Sequence, residues 1–144
     1  MGATVGAAFA DWRWWPSTLR AHCLVNFAKS KGVSTSDAKA AIFDALYEQG
    51  SNVSGPEVLA DLAAERLGLD RAEVLQYLTS GAGAAEVLRE MEEGRLRYGV
   101  RSVPHFIVSG GSSSQEYSLS GAHPPEQFLD LFQKLEAGDQ GQQA

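Results

Sequence analysis

From Leu19 to Tyr98 the apolar residues recur at helical spacing, and past Gly99 the period changes to that of strands. This switch constrains the fold more than any other feature. It sets the order as a helical body, then a β-hairpin, then a closing helix, and no internal repeat interrupts that order.

Each helical segment carries its own start and stop. Ser17 or Thr18 can cap the first, where Leu19, Cys23 and Phe27 share one face and Gly32 ends the run. Ser34 with Asp37 reads as the capping box of the second, with Ile42, Phe43, Leu46 and Tyr47 as its apolar face and Gly50 as its stop. Ser54 with Glu57 is expected to cap the third, which buries Val58, Leu59, Leu62 and Leu67 before Gly68. Asp70 with Glu73 caps a short fourth helix bearing Val74, Leu75 and Leu78. Ala84, Val87, Leu88, Met91 and Tyr98 form the fifth stripe, while Glu90, Glu92 and Glu93 with Arg89, Arg95 and Arg97 make a solvated face. The β-type runs His105–Val108 and Glu116–Ser120 are joined by a loose loop, Ser109 to Ser114. Pro124 or Pro125 opens the last helix, whose apolar side is Phe128, Leu129, Leu131, Phe132 and Leu135.

The chain of 144 residues suits one domain with a real core. Its net charge of −6 argues against a nucleic-acid partner. No run approaches the roughly 18 apolar residues of a membrane span. The start, MGATVGAAFADW, has neither a basic region nor a long apolar one, so no secretory signal is expected. Gly6 stands where a myristoylation motif needs Ser or Thr. One cysteine, Cys23, excludes an internal disulfide framework and a Cys-rich zinc site, and fits a reducing, cytoplasmic setting. His22, His105 and His123 lie too far apart in sequence for a short metal motif, so no metal site is expected. Residues 1–16 read as an irregular arm whose Trp12, Trp14 and Trp15 pack on the domain, and residues 137–144 as a polar, disordered tail.

The stretch from Gly99 to Val108 is the most informative. Pro104 stands at a strand start, where a missing N–H is tolerated. A cis bond there would present the Val103 backbone to an extended ligand, which could pair as an added strand. On these residues alone, a plain trans-proline at a strand start is the favoured reading.

The wider pattern resembles the DsbA-like thioredoxin family, and within it the FrnE-like branch near the 2-hydroxychromene-2-carboxylate isomerases. Thr18 with Ala21-His22 and Leu24 looks like the entry to that branch's helical insertion, and Gly68-Leu69-Asp70 like its mid-insertion turn. Gly99-Val100, Val103-Pro104 and Phe106-Ile107-Val108 look like its cis-proline strand, and Leu119-Ser120-Gly121-Ala122 like the strand after it. The resemblance implies an α/β, partial thioredoxin-like fold over residues 17–136, mostly helical overall. The helical insertion would cover about 17–99, and the hairpin and closing helix 100–136. It implies substrate contact at Val103 and Pro104 with a thiol-containing peptide or with glutathione, the thiol that the isomerase branch uses.

The family works through a Cys-x-x-Cys pair on its first helix, inside a strand–helix–strand unit of about 30 residues or more. Only 17 residues precede Thr18, and they resemble no such unit. No catalytic residue is therefore assigned, and independent dithiol chemistry is not expected. Cys23 shares a stripe with Leu19 and Phe27 and reads first as a small buried hydrophobe; as the only thiol, it is also the one candidate reactive group. The hairpin edge would tend to pair with another chain, so a homodimer or a complementing partner is expected.

Overall fold

The computed structural model describes residues 6, 8–10, 15–110 and 116–140, with side chains described as far as Glu136. The expected order holds. Five helices come first: α1 (Leu19–Ser30), α2 (Thr35–Phe43), α3 (Pro56–Leu67), α4 (Arg71–Thr79) and α5 (Ala84–Arg97). The strands β1 (His105–Ser109) and β2 (Glu116–Ser120) follow, and α6 (Pro125–Gln140) closes the chain. The chain divides into two compact units, residues 1–91 and 92–144, with the boundary inside α5. Among the described residues, no helix is long and apolar enough to cross a membrane.

The first unit is a helical body around one core. Leu24, Val53, Leu59 and Val74 are fully buried, as are the small Ala28, Ala38, Ala60 and Ala63. Alanines at helix contacts let the backbones approach closely, so the large side chains interlock between them. The caps follow local chemistry. The Asp70 carboxylate accepts from the Glu73 N–H at 2.8 Å, as its capping pattern predicts. Ser34 Oγ accepts from the Ser36 N–H at 3.2 Å. Ser54 does not cap α3. Pro56 fixes the first turn, Gly55 takes the cap position, and the Ser54 N–H and hydroxyl both turn to Asn52 Oδ1. Gly68 ends α3 at φ +67°, a left-handed conformation that favours glycine.

Two expected apolar faces in the helices before the hairpin, those of α2 and α5, differ from observation. Along α2 and the turn that follows it, Ala38, Ala41, Ile42, Ala45 and Leu46 are buried, but Phe43 is 58% exposed. It lies one residue past Ile42, about 100° around the helix. The helix then loosens into a π turn, Asp44–Glu48. Tyr47 packs there between Phe43 and Phe9, with centroids 5.7 and 5.8 Å away. The Ala10 N–H donates to the Tyr47 carbonyl at 2.7 Å, which ties the described part of the N-terminal arm to this turn. Trp15 is exposed, and Trp12 and Trp14 lie outside the described residues. On α5 only Val87 is buried, while Leu88 and Met91 are exposed. Its charged side is as expected, with Arg89 on Glu86 and Arg95 on Glu92 at 2.6 Å each.

The second unit is built on the hairpin. The strands pair antiparallel with His105 opposite Ser120, Ile107 opposite Ser118 and Ser109 opposite Glu116. Phe106 meets Phe128 edge-on at 4.9 Å, which sets α6 against the face bearing Phe106 and Val108. Leu131 and Leu135 are buried, and Gly110 lies so near Leu135 that a Cβ there would fall 3.1 Å from its own. Leu129 and Phe132 point outward, so the apolar side of α6 is narrower than its sequence suggests. The helix runs to Gln140, past the point where a polar tail was expected. Residues 111–115, most of the expected loop, lie outside the described residues.

Candidate functional site

Gly99, at φ +65°, turns the chain out of α5, and the Val100 N–H bonds back to the Gly94 carbonyl at 3.1 Å. A bend follows, and the Val103–Pro104 peptide bond is cis. Val103 is 84% exposed. The Pro104 carbonyl accepts from the Gly121 N–H at 2.8 Å, so this pair continues the hairpin register by one step.

That bond fixes the parity of the sheet. Opposed residues of an antiparallel pair alternate between those that exchange backbone bonds and those that do not. Pro104 with Gly121 is a bonding pair, so Phe106 with Leu119 and Val108 with Tyr117 are bonding pairs too. The N–H and C=O groups of His105, Ile107 and Ser109 therefore point away from β2, along the outer edge of β1. Among the described residues the sheet has two strands, and no third lies on that edge.

His105 and Ser120 form a non-bonding pair, where side chains stand close. The His105 Nδ1 lies 2.7 Å from Ser120 Oγ. Its Nε2 is shielded from solvent and has no hydrogen-bond partner among the described residues. His123 Nε2 lies 3.0 Å from the Ser120 carbonyl, which can only accept, so this nitrogen carries the proton. Shallow depressions lie on this unit among the described residues. One, of about 210 Å³, is lined by Arg97, Tyr98, Ile107, Glu116, Tyr117 and Ser118. Another, of about 500 Å³, is lined by Arg95, Leu96, Val100 and Arg101.

Val103 and Pro104 stand together at the entrance to β1, where sequence placed them. Cys23 belongs to the first unit, on α1. It is 3% exposed, and burial pushes its thiol above the ordinary value; its own backbone hydrogen bond and the Arg20 charge oppose this less strongly. A thiol held neutral is a poor nucleophile. His22 is exposed on the helix surface. No group of three or more metal-ligating side chains occurs among the described residues. The cross-strand His105–Ser120 contact escaped the sequence reading, because it exists only once the register is known.

No curated protein matches the chain closely enough to be compared with it. A family model described as a DSBA-like thioredoxin domain matches residues 6–133. With its helical body, its cis-proline hairpin and its closing helix, the chain belongs to the DSBA-like thioredoxin domain family.

Proposed function

We propose that this chain is a FrnE-like member of its family that holds an extended thiol-containing peptide, or glutathione, at Val103 and Pro104, and that it does not run dithiol exchange by itself. The observation that carries this is the exposed Val103 at a cis bond, placed at the head of a strand edge with outward backbone groups. Such an edge can accept a ligand as an added strand, with main-chain bonds supplying affinity. A two-thiol cycle needs an attacking and a resolving sulfur. These 144 residues hold one, buried on α1. A cytoplasmic setting, where thiol ligands stay reduced, suits this role.

Titration calorimetry with reduced glutathione and with a reduced, unfolded peptide tests the binding. A saturable heat with at least one is expected. Val103→Pro removes the N–H at that position and should weaken binding by about tenfold, or about 1.4 kcal/mol, with the circular dichroism spectrum unchanged. Absence of heat with both ligands rejects the binding role. Insulin reduction no faster than a Cys23→Ser control is expected; clear turnover above that control would contradict the lack of dithiol activity.

A further inference from the structure

Charge is unevenly distributed along this chain. The whole carries −6, yet residues 94–115 hold Arg95, Arg97 and Arg101 and no acidic side chain. Val103 and Pro104 lie inside that stretch. A ligand held there meets local charge opposite in sign to that of the chain as a whole. At physiological ionic strength exposed charges are screened within about 8 Å, so the nearest groups outweigh the distant excess of carboxylates.

The three arginines are not equivalent. Arg95 is held in a two-bond fork by Glu92, at 3.0 Å from Nε and 2.6 Å from Nη2. Arg97 lies 3.5 Å from a Glu93 oxygen, with its guanidinium 5.1 Å from the centroid of the Tyr98 ring. Both charges are compensated within their own helix. Arg101 is exposed, and it has no hydrogen-bond or ion-pair partner among the described residues. Its backbone is nonetheless anchored on either side. The Val100 N–H is bonded to the Gly94 carbonyl, and the Pro104 carbonyl to the Gly121 N–H. Arg101 also lines the depression of about 500 Å³ with Arg95, Leu96 and Val100.

A guanidinium is a planar fork that matches a carboxylate. Arg101 stands two residues before Val103, at most about 7 Å along the chain. An extended ligand advances by about 3.3 Å per residue. A carboxylate one or two residues from the segment paired with Val103 therefore comes within the span of the Arg101 side chain.

We propose that Arg101 makes the site at Val103 and Pro104 selective for thiol ligands that carry a carboxylate beside the paired segment. An acidic thiol peptide and glutathione both meet that description. The inference rests on the ligand role proposed above and names the class of ligand that the same site prefers.

Three reduced peptides of equal length test it, identical except for Asp, Ser or Lys on both sides of a central cysteine. Their binding to the full chain is read by fluorescence anisotropy at low salt, with reduced glutathione titrated in parallel by calorimetry. An exposed ion pair has a modest effect, so the Asp peptide should bind about threefold tighter than the Ser peptide, and the Lys peptide weakest. Salt at about 1 M, where the screening length is about 3 Å, should narrow these differences. Arg101→Glu should reverse the order while leaving the Ser peptide within about twofold, and should weaken glutathione about threefold. Lys39→Glu, at an exposed position of α2, changes the net charge equally and should leave the order intact. Binding of all three peptides with equal affinity retains the ligand role and rejects the selectivity. An order that survives Arg101→Glu, or that Lys39→Glu abolishes, overturns the assignment to Arg101. Where glutathione alone binds, an affinity unchanged by Arg101→Glu overturns it as well. No binding by any peptide or by glutathione rejects both the ligand role and its selectivity.

Discussion

The two units differ in how they treat apolar side chains. In the first, Leu24, Val53, Leu59 and Val74 are fully buried, and alanines close the gaps between helices. In the second, Leu131 and Leu135 are the buried apolar residues among those described, while Val103, Ile107, Leu129 and Phe132 face outward. One unit satisfies its hydrophobic surface internally. The other leaves apolar side chains and strand backbone open, and a two-stranded hairpin backed by one helix has little interior of its own. Stability should therefore reside in the first unit and recognition in the second.

Core truncation tests that division most severely. Leu59→Ala, at a site with no exposure, should lower stability by about 2–5 kcal/mol in urea unfolding. A loss below about 1 kcal/mol, as at surface positions, would mean that the helical body is not the stable part. Asp70→Ala removes the α4 cap and should cost about 1 kcal/mol in the same assay. The buried thiol adds a pH dependence. Because the folded state raises the Cys23 pKa, its contribution is fully present below the ordinary value of 9.0 and declines as pH rises beyond it. Unfolding free energy should thus fall more steeply with alkaline pH in the wild type than in Cys23→Ala; parallel curves would refute the burial effect. Native Cys23 should also resist thiol-specific labelling until denaturant is added. The smallest effect belongs to the second unit. Leu129→Ser, at an outward position of α6, should change stability by no more than about 0.5 kcal/mol, and a larger loss would show that this face is covered in solution.

Much of this organisation was legible from local chemistry. Helix limits followed from glycines and caps, because a stop needs only a residue that tolerates left-handed backbone, and Asp70 capped as its neighbours implied. The strands fell where the period changed. Reading failed where a position depends on which neighbour comes to cover it. Leu88, Met91, Leu129 and Phe132 are apolar at helical spacing yet exposed, and periodicity alone cannot tell a covered stripe from an open one. Ser54 lost its cap to the stronger constraint of Pro56. At the candidate site, the place of Val103 and Pro104 just before a strand was legible from the change of period. The isomer at Pro104 and the approach of His105 to Ser120 were not, since the first leaves no local sequence mark and the second requires the register.

The parity fixed by the Pro104–Gly121 bond has a consequence for the timing of proton exchange. Along β1, the amides of Phe106 and Val108 are locked into the hairpin, whereas those of His105, Ile107 and Ser109 open outward. Deuterium should enter the strand in a striped pattern, quickly at odd positions and slowly at even ones. A ligand settled on that edge would slow the odd positions and leave the even ones as they were. The strand thus carries its own internal reference, residue by residue, for whether its free side is occupied.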